Sequence, residues 1–359
     1  MRVFAGATAA LALAATAGHA GEIQRDSDRS QVLYENGKNY LEFSATVVAP
    51  DVSGSVNSPF GAIPSGNMVE NFQTYSLAYK REINERLTYA IIANQPYGAD
   101  VNYAAGTFYP FSGTTAELNT FAVTGLLKYQ FNDNFSAYGG LRVQTMDGSL
   151  RIQTAGLPPT IPPLYTLTVD KNYQVGYVLG GAYERPDIAL KVALTYESEI
   201  KHDFRDNTGT SFNIKTPQAV TLHARSGIAA NTLVFGSVRW QEWTKFLIAP
   251  RDYVGGLVPI ARGASDIWTY ELGVGRRFSE NWSGAVSLGY EKDQGNVVGN
   301  LSGKDGFFSY GLAVKYQTES WDVTTGIRYI ELGDAVTGIG ANFSGNDALA
   351  FGMKLGFRF

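Results

Sequence analysis

From Asn39 to the C-terminus, apolar and polar residues alternate with a period of two, the signature of strands with one apolar face. The last segment shows it most plainly. Leu349, Phe351, Met353, Leu355, Phe357 and Phe359 alternate with Ala350, Gly352, Lys354, Gly356 and Arg358. Phe121, Val123, Leu127, Tyr129 and Phe131 repeat the pattern against Thr124, Lys128 and Gln130. Ile188, Leu190, Val192, Leu194 and Tyr196 do so against Lys191, Thr195 and Glu197. The pattern predicts fourteen strands, over 39–49, 71–83, 87–101, 116–131, 135–147, 173–185, 188–202, 217–229, 232–246, 266–278, 282–292, 306–316, 321–332 and 347–359.

The connections between them alternate in length. Those at 84–86, 132–134, 186–187, 230–231, 279–281 and 317–320 are short; those at 50–70, 102–115, 148–172, 203–216, 247–265, 293–305 and 333–346 are long. An even strand count with short turns on one side and long loops on the other is the pattern of an outer-membrane barrel. A soluble two-sheet sandwich also alternates, but its apolar face is its core, and it has no reason to sort loops by length. The fold class predicted is all-β, a fourteen-stranded antiparallel transmembrane β-barrel. No stretch after residue 20 approaches eighteen consecutive apolar residues. A membrane crossing must therefore be made by a closed barrel, because lipid cannot satisfy an open sheet edge.

Residues 1–20 stand apart. Arg2 is followed by an almost wholly apolar run from Val3 to Ala17, then by Gly18-His19-Ala20. This reads as a secretory signal peptide cleaved before Gly21. The alternative, a helical anchor, is short for a hydrocarbon core of roughly 30 Å.

Composition agrees with export. The 359 residues include 40 Gly, 13% aromatics, 17% charged residues and no Cys. An average soluble domain carries roughly 25% charged residues. Without Cys there are no disulfides and no thiolate metal sites. A net charge of −4 offers no basic footprint, so no nucleic-acid partner is expected. Trp282 and Trp321 follow short turns, with Phe131, Tyr183, Phe278 and Tyr316 near others. Trp240, Trp268, Tyr196, Tyr290 and Tyr329 sit toward long loops. These are two aromatic girdles, one at each membrane interface.

Alternation points many charges inward. The cations include Arg142, Arg225, Arg239, Lys315 and Arg328, and the anions Glu42, Glu197, Glu271 and Asp322. Two readings stand: a network of ion pairs filling the barrel, or surplus cations that hold an anionic head group. No catalytic constellation accompanies them. Only His202 and His223 survive processing, and no G-x-S-x-G elbow or P-loop occurs. The acidic loop residues Asp203, Asp206, Asp252, Asp293 and Asp305 lack calcium-loop spacing. The chain is not expected to be an enzyme, and neither a metal nor a cofactor is expected.

Four stretches carry a resemblance to a known family: Asn39-Tyr40-Leu41-Glu42-Phe43 followed by Ala49 to Gly54; Asn94-Gln95-Pro96-Tyr97-Gly98-Ala99-Asp100; Tyr196 to Phe204; and Thr216-Pro217-Gln218 followed by Trp240 to Phe246. In order and spacing they resemble the FadL-type outer-membrane transporters of long-chain fatty acids and other hydrophobic compounds, which include the TodX-type aromatic-hydrocarbon carriers. The resemblance covers essentially the whole mature chain. It implies a barrel over 39–359, plugged in its lumen by a short N-terminal hatch over 21–38 with Ile23, Val32, Leu33 and Tyr34 as its apolar residues. It implies a hydrophobic small-molecule ligand taken up passively. The ligand is captured among outer loops, bound in the lumen and released sideways through an opening in strand three.

Two features fit independently. Pro96 is the one proline inside a predicted strand. A proline there removes a ladder hydrogen bond, and a nearby Gly marks a bend. Asn94, Pro96, Tyr97 and Gly98 are therefore the candidate lateral gate, the other reading being a bulge near a barrel rim. The 148–172 loop is apolar and proline-stiffened. Its Leu157, Ile161, Leu164, Tyr165 and Leu167, with Phe204 and Phe212 of 203–216, form a capture site or simply cap the mouth. The hatch departs from the family pattern, because Tyr34-Glu35-Asn36-Gly37-Lys38 lacks the family's Asn-Pro-Ala element; a disordered periplasmic tail is the alternative. Other expected partners are outer-membrane lipid, lipopolysaccharide and, through the terminal Phe359, the barrel-assembly machinery of a Gram-negative bacterium. The expected state is a monomer. The runner-up function is an aqueous diffusion porin for small polar solutes.

Overall fold

The computed structural model describes residues 23–359; the expected leader over 1–20 and its expected cleavage point before Gly21 lie outside the described residues. Fourteen antiparallel strands close into one barrel. They are β1 Asn39–Asp51, β2 Phe72–Glu82, β3 in two pieces (Leu87–Asn94 and Gly98–Asn102), β4 Thr115–Gln130, β5 Phe135–Gln153, β6 Leu164–Arg185, β7 Leu190–Glu197, β8 Ala219–Ala229, β9 Thr232–Gln241, β10 Ile267–Arg277, β11 Trp282–Glu291, β12 Phe307–Gln317, β13 Trp321–Leu332 and β14 Asp347–Arg358. The seam is β1 against β14, with Tyr40 opposite Arg358 and Asp51 opposite Asp347. Asn39 and Phe359 exchange both backbone hydrogen bonds, each 3.2 Å.

The burial pattern is inverted relative to a soluble protein. On β14, Leu349 and Phe351 are 48% and 54% exposed while Lys354 is 2% exposed. Lys80, Lys315 and Arg328 are likewise buried. A sandwich would hide its large apolar face and expose its lysines. Here lipid solvates the outside and the lumen holds the charges. The girdles are in place: Phe278, Trp282 and Trp321 at the short turns, and Trp268, Tyr270, Tyr290, Tyr310 and Tyr329 toward the long loops, all outward and exposed.

The short turns are set by polar side chains. The Asn84 Oδ1 accepts the N–H groups of Arg86 and Leu87, both at 2.9 Å. Asn132 does the same for Asn134 and Phe135. Thr318 Oγ1 accepts the N–H of Trp321 at 3.1 Å. These are side-chain-closed turns of the kind Asx and Ser/Thr favour.

Three expectations about the outer loops are corrected. The 148–172 segment is mostly ladder: β5 and β6 pair out to Gln153 opposite Leu164, leaving 154–163 as the loop. Segment seven leaves the barrel after Glu197. Ile200–Arg205 and Ser211–Thr216 then pair as a separate hairpin that carries His202. Segment nine stops at Gln241, and Trp243–Lys245 forms a short 3-10 turn with Trp243 fully buried. These outer pieces fold over the barrel mouth, so their apolar residues have a core to enter that strand counting did not provide.

Candidate functional site

The segment after residue 22 enters the lumen. Residues Ser30–Tyr34 form a 3-10 turn that packs Val32 and Leu33 against Ala78, Ala90, Ile92, Leu126 and Val178 of the wall. Tyr34 lies edge-on to Tyr138 at 6.2 Å and shares a 3.0 Å hydrogen bond with Ser136. The ammonium groups of Lys128 and Lys191 sit 4.5 and 4.3 Å from its ring centroid, close enough for cation–π attraction. Asp28 ties the turn to β7 and β8. It accepts hydrogen bonds from Thr195 Oγ1 (2.8 Å) and Ser30 (N at 2.8 Å, Oγ at 2.9 Å), and lies 3.2 Å from His223 Nε2. Burial raises its carboxyl, but the hydrogen bond and charge of His223, with Ser30 and Thr195, hold it below the usual carboxylate range.

Further out, the same segment runs along β3 where that strand breaks. Pro96 has no N–H to give, and its carbonyl turns inward to accept the N–H groups of Arg25 (2.9 Å) and Asp26 (3.2 Å). Gly98 N–H donates to Ile23 O at 2.8 Å. Asn94 Nδ2 donates to Asp26 at 2.7 Å. Tyr97 N–H donates to Thr120 Oγ1 at 2.9 Å, and the buried Tyr97 ring meets Trp243 edge-on at 6.1 Å.

The break changes the pairing on one side only. The inner piece of β3 pairs with both β2 and β4. The outer piece pairs with β4, from Gly98 opposite Asn119 to Asn102 opposite Thr115. Its β2 partner resumes only at the rim, where Glu70 N–H reaches Asp100 O (3.0 Å) and Asn102 N–H reaches Met68 O (2.9 Å). Between these limits, residues 71–76 have no backbone partner on β3 among the described residues. The Tyr75 N–H is satisfied instead by the Gln95 side chain at 3.0 Å. At about 3.3 Å per residue, this unpaired stretch is roughly 20 Å long.

Behind it lies an apolar chamber of about 190 Å³. Val48 and Phe72, Gly98 and Val101, Leu118 and Leu150, Leu167 and Val169, Phe212 and Ile214, and Phe246, Ile248 and Ile260 line it. Both edges of the unpaired stretch, Phe72 and Gly98, belong to its wall. A second cavity of about 140 Å³ lies against the hatch turn and has charged or titratable residues in its wall: Asp28, Arg29, His223, Arg225, Glu271 and Arg328.

The candidate outer residues divide. Leu167 and Phe212 line the chamber. Tyr165 and Phe204 are buried in the cluster around it, Leu157 packs at that cluster's edge, Ile161 is half-buried, and Leu164 points out to solvent.

The candidate head-group cations are placed in the wall away from the chamber, and four of the five have partners. Glu197 holds Arg142 at 2.7 Å and Arg239 at 2.6 Å. Lys315 lies 3.3 Å from Asp322, and Arg328 2.6 Å from Glu271. Arg225 lines the second cavity and has a buried Nε with no hydrogen-bond partner among the described residues. Two cations that the sequence did not single out do reach the chamber, Lys304 from the outer loops and Arg25 from the segment after residue 22. The Arg25 guanidinium pairs with Asp100 and lies 4.5 Å from the Phe72 ring centroid.

The sequence model of the family described as outer membrane protein transport protein (OMPP1/FadL/TodX) matches residues 36–292. The chain belongs to this family. It is an outer-membrane β-barrel of the FadL/TodX type, in a family of transporters of hydrophobic compounds rather than of enzymes. A long-chain fatty acid transport protein of Salmonella typhi is 21% identical, over 69% of this chain and 66% of its own length. The chain thus spans just under two thirds of that relative. The fold is that of a crystal structure of a Pseudomonas aeruginosa FadL homologue, at 14% identity and a TM-score of 0.74, covering 100% of this chain and 99% of the other. The P. putida toluene transporter TodX matches over the same shares of both chains, at 12% identity and a TM-score of 0.70.

Proposed function

We propose that the chain takes up long-chain fatty acids or similar hydrophobic molecules across the outer membrane without an energy source. Capture occurs at the outer hairpins, binding in the apolar chamber, and exit sideways between β2 and β3. The observation that carries this reading is the shared wall: the chamber that suits an apolar solute is bounded by both edges of the unpaired stretch. A chain of methylenes gains about 0.8 kcal/mol per buried CH₂, so an aqueous pore is a poor route for it. A sideways exit into lipid keeps it out of water. The similarity to a long-chain fatty acid transport protein and to a toluene transporter supports the same solute class.

The test joins the two edges. Because the chain has no native Cys, Gln73→Cys with Gln95→Cys carries a reducible bis-maleimide bridge at that one place. Uptake of labelled oleate by cells lacking their own transporter should fall to background when bridged and return on reduction. Unchanged uptake through the bridged protein sinks the sideways exit.

A further inference from the structure

Lys191 and Arg225 stand directly opposite each other on β7 and β8, and both line the second cavity. Like charges in that arrangement repel, and a buried charge without a partner is costly. Lys191 is only 6% exposed. Neither side chain makes an ion pair or a hydrogen bond among the described residues, and the Arg225 Nε is buried with no acceptor. The Lys191 ammonium lies on the Tyr34 ring instead, where Lys128 brings a further cation. The four carboxylates of the cavity wall, Asp28, Glu35, Glu42 and Glu271, are engaged elsewhere. Glu271 holds Arg328, Glu35 and Glu42 share Lys354, and Asp28 is held by His223, Thr195 and Ser30. Glu184 of β6 stands opposite Lys191 on its other side but forms no ion pair with it among the described residues.

We infer that Lys191 and Arg225 form a binding site for a small inorganic oxyanion of phosphate's chemistry. The site lies at the short-turn end of the lumen, because Lys191 is the second residue of β7. A guanidinium fork beside an ammonium offers a two-point contact and a point charge. Two fixed cations favour a doubly charged ion over a single carboxylate. Neither residue borders the apolar chamber, so the site is separate from the one proposed for the hydrophobic solute. Ser27 and Gln31 of the hatch segment border the same cavity. An oxyanion held there links that segment to β7 and β8, adding to the ties of Asp28. It cancels a repulsion that the docked hatch otherwise encloses, and so holds the turn in place.

The experiment uses the full chain in detergent, in a low-salt buffer without phosphate, for wild type, Lys191→Met, Arg225→Gln and Glu184→Gln. The probe is inorganic phosphate. Octanoate and sodium chloride at equal ionic strength are the comparison arms. Folding and its midpoint are read by heat-modifiable migration, and the hatch by hydrogen exchange over residues 30–34. Phosphate should raise the wild-type midpoint saturably and slow that exchange. Sodium chloride should do little, because diffuse salt screens a buried pair poorly. Lys191→Met and Arg225→Gln should each weaken the phosphate response about tenfold, as loss of a charge-assisted contact implies. Without phosphate, neither variant should melt below wild type, because each removes the repulsion; a misfolded variant would melt lower. Glu184→Gln should keep the phosphate response. An equal response to sodium chloride reduces the effect to screening and overturns the inference. A response to octanoate but not to phosphate gives the pair to organic carboxylates and overturns it too. So does a phosphate response that survives in Lys191→Met and Arg225→Gln, which places the ion elsewhere. A response found only in Glu184→Gln makes Glu184 the counter-ion and also overturns it.

Discussion

Leu33 has no solvent exposure although it lies only a few residues from the first barrel strand. It owes this to wall residues Ala78, Ala90 and Ile92, small or inward positions that leave room for the turn. Truncating a fully buried leucine costs about 2–5 kcal/mol. Leu33→Ala should therefore loosen the hatch turn, seen as faster hydrogen exchange over residues 30–34 with the barrel's own exchange unaltered. His202 offers a different handle. It is buried in the outer hairpin, 3.2 Å from both Gln144 Nε2 and Asn172 Oδ1. Burial pushes its pKa down from 6.5 to about 4, with Asp203 opposing only in part. The neutral ring is thus the form that docks, and the released hairpin binds the extra proton. Docking is at full strength above pH 6.5 and weakens as the pH falls toward 4. Exchange over residues 200–216, corrected for intrinsic pH effects, should rise across that window in wild type and stay flat in His202→Asn. Of these residues, Leu33 was visible in the sequence as an apolar residue in a charged segment. His202 was read as a strand residue. Nothing in the sequence marked Arg25, because one arginine in a charged stretch carries no sign that Gly98 and Phe72 will meet it.

Among the elements, β6 shows why alternation misplaced the 148–172 segment. Within the membrane its odd-numbered residues Tyr173, Val175, Tyr177 and Leu179 face lipid. Above it, the odd-numbered Tyr165 and Leu167 face inward. The phase flips at a bulge, where Met146 opposes Asn172 but Gly148 opposes Val169. One extra residue turns every later side chain to the other face. The flip is what the solvent demands: outside the membrane, apolar side chains must point into the molecule and polar ones outward. The strand therefore continues through a segment that looks like a loop when a single phase is assumed. On β14 the phase never changes, and its lipid face is a clean target. Phe351→Arg should destabilise the barrel by about 2–4 kcal/mol, as expected for a cation near the bilayer midplane. Urea unfolding in lipid vesicles would measure this, and a loss below about 1 kcal/mol would place Phe351 at an interface instead. The third strand was legible in a narrower sense. Pro96 predicted a lost ladder bond, but not that the freed carbonyl would serve the hatch, nor that only the β2 side would open.

For the whole molecule, the question is what fills the lumen. Among the described residues, the hatch turn, the buried ion pairs around Glu197 and the outer pieces carrying Trp243 and Phe246 divide the space into cavities that include those of about 190 and 140 Å³. A diffusion porin needs a continuous water column. The full chain in planar bilayers should show no steady ohmic conductance, and a stable open level would favour the porin reading. The lumen pairs are also where removing one partner is costly, about 3–5 kcal/mol for a buried pair. Glu197→Gln leaves Arg142 and Arg239 without their shared carboxylate and should lower the unfolding midpoint accordingly.

The sequence alone determined the class, the strand count and which way most residues point. Each of these follows from local rules repeated fourteen times: alternation, a turn residue, a girdle aromatic. Lipid enforces the same rule on every strand, so the pattern is redundant and survives local exceptions. What the tertiary structure decided is everything that depends on a meeting between distant segments. The seam of β1 with β14, the docking of the hatch, the chamber assembled from β1 to β6, β13, β14 and the outer pieces, and the contact of Arg25 with Phe72, Gly98 and Asp100 are of this kind. Such contacts are made once, between residues brought together only by closure of the barrel, and a single occurrence leaves no period to read.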